Sequence, residues 1–550
     1  MIQAGPNYIV GIDTGGTFTD AVVYAPGRGV VASAKRPTSH GDLEKGITAA
    51  LQAALEDACI SGADVACVGI STTLATNSVV ESRGARVGLF QIGVHKPVRL
   101  PVVSVKFLQG GHLVSGKEEA PLDLPALVAG VRQFQDHVDA YAVAASGSCF
   151  NPAHEQVAAK AIAMVDPKPV SLAHQVSELP SHEERLATVA LNAKLLPVME
   201  LFLDRLRSSL KRLGIDGQMF IVSGDASTMP PDQAAEKPLT TFAAGPAASA
   251  LYGAHAAGLA GATDVLVVDV GGTTTDLVLV RGGEPAVRTG GSVIGGWETH
   301  VRAVELRTLG LGGDSHVRVA SGQVEVGPRR VCPLALAGGP EPRKWLGREA
   351  QRLIFAASGA EKACEQSELM AYLLEHGPST GNELIRALAR NEVELERRLE
   401  DLSRLGLLVE AGFTPSDALH VLGLAAFGDA AAARQGAEAL GHALGVDADT
   451  FARAVLERLR SGVEDALAEH VLRLEVGHDM AGLVRKRREL RLLGVDLRLK
   501  VPLVVLGAAG RELLDGLGER MGTETIFPEH GDVGNAAGAA LAAAQADRNI

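Results

Sequence analysis

The sequence predicts an α/β protein built from two related domains, and three observations carry that prediction. The octapeptide DTGGTFTD at residues 13–20 returns as DVGGTTTD at 269–276, with Asp, Gly, Gly, Thr, Thr and Asp recurring at six of eight aligned positions. A chain of 550 residues exceeds what one hydrophobic core holds, so two to four domain-sized units are expected. The composition is 46% hydrophobic but only 4% aromatic, and alanine is abundant, which suits helix-rich α/β packing more than a β-sandwich.

Each copy of the repeated phrase follows a short apolar run, YIVGI or VLVVDV, and precedes a second one, AVVY or LVLV. That pattern reads as strand, tight Gly-Gly turn, strand, with the phrase at the hairpin tip. Gly15, Gly16, Gly271 and Gly272 let the backbone approach a ligand without a Cβ in the way. Thr14, Thr17, Thr19, Thr273, Thr274 and Thr275 add hydroxyls, and successive turn N–H groups form an anion-binding nest. Asp13 and Asp269, where strand becomes turn, are placed to hold hydrated magnesium beside phosphates. Asp20 and Asp276, on the far side of each turn, are candidate acid–base groups. Gly, Thr and Asp are also ordinary turn residues, and a single copy would read equally well as a solvent-facing hairpin. Two copies with matching acids and matching flanks favour one hairpin per domain, both directed at one nucleotide.

A net charge of −13, spread along the chain, argues against nucleic acid or an anionic membrane as the main partner. The five cysteines contain no CxxC pair, which suits a reducing compartment without a disulfide framework or zinc ribbon. The start, MIQAGPNYIVGIDTGG, passes almost directly into a strand and leaves no room for a signal peptide. No uninterrupted apolar run approaches the roughly 20 residues a membrane helix needs. A cytoplasmic location is therefore expected. There is no GxxxxGK[ST] loop and no HExxH, so neither a P-loop nor a zincin site is expected.

The paired hairpins resemble those of the actin, heat-shock chaperone and sugar kinase superfamily, and the wording resembles the A subunit of the hydantoinase/oxoprolinase family. Further stretches match that family in order: GISTTLATNSVVESRGARVGLF (69–90), SGSCFNPAHE (146–155), TTFAAGPAASA (240–250), RTLGLGGDS (307–315), FTPSDALHVLG (413–423) and FPEHGDVGNAAGAA (527–540). The resemblance implies a two-domain actin-like ATPase fold of duplicated ribonuclease H-like domains. Residues 1–255 would form the first domain, 256–365 with 413–532 the second, and 533–550 a terminal helix returning to the first.

Physically, STTLATN follows a strand, so Thr72, Thr73, Thr76 and Asn77 lie at its carboxyl end, where open α/β sheets bind ligands; a helix-capping cluster is the plainer alternative. GLGGDS places Gly312 and Gly313 in a loop read as near phosphate, and VVLGAAG (504–510) places Gly507 and Gly510 in an adenosine-contacting turn. The chain departs from the family pattern at Ser71, at Asp314, at Ala508 and in RRVCPLALAGGP, and it stops soon after the terminal helix. A short, free-standing relative is expected from that last departure.

Residues 366–412 look foreign to the rest: three short amphipathic helices followed by GLLVEAGF, which is expected to form a small hairpin wing, as in a winged helix. With five Arg, no Lys and nine Asp or Glu, the segment reads as a structural or protein-contact insertion rather than a DNA reader.

The resemblance implies magnesium-ATP as cofactor, with the γ-phosphoryl group activating a carbonyl or amide oxygen of a cyclic amide or imide for cleavage. Asp20, Asp276 or Glu305 would orient the nucleophile. It further implies a small-molecule substrate, and leaves open a B-type partner subunit and self-association. A small-molecule kinase and a nucleotide-dependent switch are the competing readings; an activator of radical dehydratases is disfavoured because its cluster-binding cysteine pair is absent.

Overall fold

The computed structural model describes residues 8–16, 18–38, 43–80, 84–94, 96–347, 349–357, 360, 367–388 and 391–548. Two compact units emerge: unit 1 comprises 1–264, 278–306 and 533–550, and unit 2 comprises 265–277 and 307–532.

Unit 1 is built on a six-stranded sheet made from β1 (Tyr8–Thr14), β2 (Phe18–Ala25), β3 (Gly29–Pro37), β4 (Val65–Thr72), β9 (Gln218–Val222) and β10 (Thr228–Met229), in the order β10-β9-β4-β1-β2-β3. β1, β2 and β3 are antiparallel, whereas β4 runs parallel to β1 and β9 parallel to β4. The hydrophobic runs are continuous rather than alternating because both faces are covered. Val10, Ile12, Val68 and Ile70 pack against helix α1 (Leu43–Asp57) and the distal half of the long helix α3 (His182–Arg212). Ile9 and Cys67 face the terminal helix Gly534–Arg548. The glycines between them explain how close that helix comes. A Cβ on Gly11 would sit 1.9 Å from the Ala536 carbonyl oxygen, and one on Gly69 1.9 Å from that of Ala539.

A second sheet of unit 1 is wholly parallel: β5 (Val87–Ile92), β6 (Ser104–Leu108), β7 (Ala140–Ala145) and β8 (Val170–Leu172), in the order β6-β5-β7-β8. Here α3 reappears. Its first half contributes Leu186, Val189 and Ala193 to the core beneath β5 and β7, and its second half contributes Met199, Phe202 and Leu206 to the first sheet's core. Pro197 falls between the two halves. α3 is long and apolar enough to cross a membrane, contrary to the expectation that no such stretch exists, but 72% of its most apolar window is buried inside the unit, so it is a core helix. The sequence conceals it because charged residues punctuate both ends.

The sheet that carries the second hairpin repeats the first in outline. β11 (Val265–Val270), β12 (Thr275–Arg281) and β13 (Glu284–Pro285) are followed by β14 (Leu503–Leu506) and β15 (Thr525–Ile526), in the order β13-β12-β11-β14-β15. β14 runs parallel to β11 and β15 parallel to β14. In both sheets a three-strand meander is extended by parallel strands beside its first member, the duplicated ribonuclease H-like order of an actin-like ATPase fold.

Within unit 2, residues 367–412 form helices Glu368–His376, Gly381–Leu388 and Glu392–Arg404 around Leu369, Met370, Leu373, Leu384 and Leu399. The GLLVEAGF stretch does not fold back on itself as a wing. It supplies one strand, Leu408–Gly412, antiparallel to Leu353–Ala356 and parallel to Cys332–Pro333, both outside the segment. Crossed ion pairs account for the difference: Arg329 and Arg352, also from outside, each meet both Glu396 and Glu410. These partners absorb part of the segment's acidic excess.

Candidate functional site

The first hairpin closes on a hydrogen bond from Gly15 N–H to the Phe18 carbonyl at 3.0 Å, and the second on the equivalent bond from Gly271 N–H to the Thr274 carbonyl at 2.9 Å. The repeated phrase therefore folds into the same tight turn twice. Gly16 is exposed at one tip and Gly271 to Thr273 at the other. Thr17 lies outside the described residues.

Register assembles the first site. Asp13 on β1 stands opposite Asp20 on β2, Asp20 opposite Lys35 on β3, and Asp13 beside Ser71 on β4. Residues directly paired across a sheet share a face, so Lys35, Asp20, Asp13 and Ser71 form one polar row at the end of the strands. Lys35 Nζ donates to Asp20 Oδ2 at 2.9 Å. Asn535, in the first turn of the terminal helix, donates from Nδ2 to Asp13 Oδ2 at 3.2 Å while its own oxygen accepts from Ser249 on helix α4 (Ala244–Leu259).

Asp13 is 5% exposed, and its Oδ1 and the neighbouring Thr14 Oγ1 are buried without hydrogen-bond partners. Burial pushes the Asp13 carboxyl above the usual range, against the lowering effects of Ser71, Asn535 and Lys35. A buried acceptor with no donor is costly, and a hydrated cation would supply what is lacking. The donor chemistry thus fits magnesium. Among the described residues no group of three or more His, Cys, Asp or Glu could cage a metal.

STTLATN lies where β4 ends and helix α2 (Leu74–Val80) begins, and it braces the first hairpin. Thr73 Oγ1 donates to the Thr14 carbonyl at 3.3 Å and accepts from Asn77 Nδ2 at 3.0 Å. Thr72 Oγ1 accepts from Leu74 N–H at 3.2 Å, and Thr76 Oγ1 from Ala243 N–H at 3.2 Å. Thr19 is buried and its hydroxyl meets Thr38 at 3.2 Å.

In unit 2, Asp269 is the penultimate residue of β11, beside Leu506 of β14. Asp276 accepts from Thr308 Oγ1 at 2.6 Å; burial, with a contribution from the Asp269 charge, raises its pKa to about 7. A carboxyl poised there can take or give a proton near neutrality. Asp20, by contrast, is held as an ion-pair partner. Glu305 lies in unit 1, its N–H bonded to the Ala286 carbonyl at 2.6 Å.

The glycine loop 310–315 acts on the second hairpin directly. Gly313 N–H donates to the Gly271 carbonyl at 3.0 Å and Asp314 N–H to that of Gly272 at 2.7 Å, while Gly312 N–H is taken by Ser315 Oγ at 2.8 Å. These amides are spent on shaping the hairpin tip. A Cβ on Gly272 would lie 2.5 Å from Asp314 Oδ2, so a side chain there requires the Asp314 carboxylate to move. Thr275 is buried and donates to the Leu311 carbonyl at 2.7 Å. Gly507 has φ +103° and donates to the Gly531 carbonyl at 2.8 Å; Gly510 N–H closes the turn onto Gly507, and Ala508 is exposed at its tip.

Lys35, Ser249, Asn535 and Thr308 are absent from the sequence-derived candidates. Lys35 and Thr308 come from register and loop placement, which no local pattern encodes. Asn535 stood within a matched motif, as an opener of the terminal helix.

Comparison with known proteins gives a consistent picture. The chain is 29% identical over 355 residues to caprolactamase subunit alpha of Pseudomonas jessenii, covering 58% of this chain and 50% of that protein. It is 27% identical over 366 residues to the acetophenone carboxylase gamma subunit of Aromatoleum aromaticum, covering 58% and 49%. The chain thus spans about half the length of these relatives. In fold it is similar to nucleotide-free acetone carboxylase, with a TM-score of 0.67 at 17% identity over 97% of this chain and 70% of that one. The ATP-dependent caprolactamase of Pseudomonas jessenii gives a TM-score of 0.64 at 22% identity with the same coverage. Residues 9–165 match the hydantoinase/oxoprolinase N-terminal region and residues 185–342 the hydantoinase/oxoprolinase domain that follows it; the chain belongs to the hydantoinase/oxoprolinase family.

Proposed function

We propose that this chain is an ATP-dependent enzyme that phosphorylates the carbonyl or amide oxygen of a cyclic amide- or imide-like small molecule, activating the ring for hydrolysis. The observation that carries the reading is the doubled hairpin: one turn geometry, flanked by the same acids, on two sheets of the same strand order. Such turns suit polyphosphate binding, and phosphoryl transfer asks mainly for positioning and charge neutralisation.

Asp13 and Asp269 are the residues to hold magnesium through its waters, where it would offset charge on the phosphates. The backbone of Gly15-Gly16 and Gly271-Gly272, with Thr14, Thr17, Thr273 and Thr274, would line the phosphate chain. Thr19, Thr275, Gly312 and Gly313 would keep the turns in shape. Gly507 and Gly510 would carry the adenosine turn, and Thr72, Thr73, Thr76 and Asn77 would border the substrate. Asp276 is the best-suited acid–base group, because its carboxyl titrates near neutrality whereas Asp20 is committed to Lys35; Glu305 is a weaker candidate.

The substrate class draws support from the relatives' names. A lactam, acetophenone and acetone each carry a carbonyl oxygen, and the caprolactamase and the acetone carboxylation are named ATP-dependent. In the proposed reaction the γ-phosphorus–oxygen bond to ADP breaks as a bond to that oxygen forms. Water then adds to that carbon, the ring C–N bond opens as the nitrogen takes up a proton and an acyl phosphate is left, and a second water releases phosphate from it. Two relatives are named as subunits, so a partner polypeptide would supply whatever the hydrolytic step needs beyond this chain.

The test is ADP release from magnesium-ATP by the purified chain, alone and with a panel of lactams, hydantoins and ketones, beside Asp13→Ala/Asp269→Ala. Stimulation by one compound, silent in the double variant, is expected. ATP binding without stimulation by any compound would instead point to a missing partner or a switch. Failure to bind ATP would overturn the reading.

A further inference from the structure

Unit 1 contains a cavity of about 530 Å³ that the hairpin chemistry does not use. It opens at the carboxyl ends of β5 and β7, between the loop after Ala145 and the first turn of α3. Its size is that of a small-molecule site, and the carboxyl ends of parallel strands are where open α/β sheets bind ligands.

The loop is prebuilt. Ser146 N–H donates to the Ile92 carbonyl at 2.9 Å, and Phe150 and Asn151 N–H both close onto the Gly147 carbonyl. Below it, the fully buried Glu155 accepts from Ala145 N–H at 2.8 Å and from His174 N–H at 2.8 Å. The Asn-Pro-x-His-Glu motif thus fixes the cavity floor.

Arg185 lines this cavity and is 6% exposed. Its guanidinium donates to the Ser177 and Leu179 carbonyls at 2.6 and 3.2 Å and to Ser148 Oγ at 2.5 Å. All three partners are neutral, and among the described residues no carboxylate lies within ion-pair distance of it. A buried cation without a counter-charge is expensive. Two carboxylates share the cavity wall without pairing with it: Lys96 Nζ meets Glu183 at 2.5 Å, and Glu184 is beyond ion-pair distance of Arg185. The same wall carries the start of the 31-residue α3, where the N-cap residue Ser181 makes no capping hydrogen bond and Glu183 and Glu184 occupy the first turn, so the amino end of a long helix faces the space with its charge partly offset.

We propose that this cavity is a second small-molecule site, separate from the phosphate hairpins, and that it takes an organic carboxylate whose charge is met by Arg185 and the amino end of α3.

The experiment is calorimetric titration of the full chain, without nucleotide, using pentanoate and its neutral isostere pentanamide. Saturable binding of the acid, at least about 10-fold tighter than the amide, is expected, since hydrogen bonds to a charged group discriminate by that order. Arg185→Gln should abolish the preference for the acid, and Cys149→Trp, which enlarges a lining side chain while leaving the arginine and its three partner residues in place, should abolish binding. Thermal unfolding of each variant checks its fold, and Cys149→Trp decides the matter if Arg185→Gln is unstable. Equal affinity for acid and amide, no binding of either, or undiminished binding by a folded Cys149→Trp would overturn the proposal. Because no nucleotide is present, these outcomes stand apart from the fate of the ATP-dependent reading.

Discussion

Asp276→Asn isolates the electrostatics of the second hairpin. In the folded protein the Asp276 carboxyl titrates at about 7, against an ordinary value of 3.8, because burial and the Asp269 charge disfavour its ionised form. A folded pKa above the unfolded one means that the native state binds the extra proton between those two values. Stability therefore falls as pH rises from about 4 to about 7, and levels off above. A shift of roughly three units corresponds to at most about 4 kcal/mol at full effect. Asp276 is only half-buried, so solvent screening reduces that ceiling and about 1–2 kcal/mol is the working figure.

Asparagine imitates the protonated acid and keeps an oxygen for Thr308. At pH 5, where the unfolded carboxyl is already ionised, the variant should melt only slightly higher than the parent. At pH 9 the variant should melt a few degrees higher, since 1 kcal/mol moves a unit of this size by about 2–4 °C. Other titrating groups are common to both proteins and cancel in the difference. A melting-temperature difference unchanged between pH 5 and pH 9 would refute the assignment of a raised pKa to Asp276.

Two further perturbations address the hairpins. Asn535→Ala removes the amide from Asp13 Oδ2 and the oxygen that the Ser249 hydroxyl donates to; a loss of about 1–3 kcal/mol in chemical denaturation is expected, with weakened ATP binding by filter or calorimetric assay. Gly272→Ala forces a methyl to within 2.5 Å of Asp314 Oδ2 and should lower nucleotide affinity at least about 10-fold by displacing the tip by a fraction of an ångström. Gly258→Ala is its control: in α4, with open space around the added methyl, it should be neutral or stabilise by up to about 1 kcal/mol.

The hairpins were legible because their signal is local: an apolar run, two glycines and a second apolar run define the turn without help from the rest of the chain. Their chemistry was less legible. The row Lys35–Asp20–Asp13–Ser71 depends on the register of four strands, and register shifts at Tyr8/Ile9 and Val23/Tyr24 alter the pairing in ways sequence spacing does not report. Asn535 reaches Asp13 from 522 residues away. The wing misled for a similar reason: GLLVEAGF has strand character, but its partner was set by Arg329 and Arg352, which lie outside the segment. GLGGDS read as a phosphate loop because glycine-rich turns look alike until their amides are assigned. The cavity above β5 and β7 draws on three separated stretches, of which only SGSCFNPAHE stood out in the sequence.

Helix α3 carries a mechanical consequence. At 31 residues it is about 46 Å long, and its two halves are structural members of different sheets: one supports the cavity wall, the other lies under the strands that bear the first hairpin. Neither sheet can be shifted on its own without dragging the shared rod or bending it. Bending is cheapest where a turn already lacks its N–H, and Pro197 puts that weak point at the changeover between the two cores. Force applied at one of these two sheets is thus passed toward the other along a shared beam that yields at Pro197.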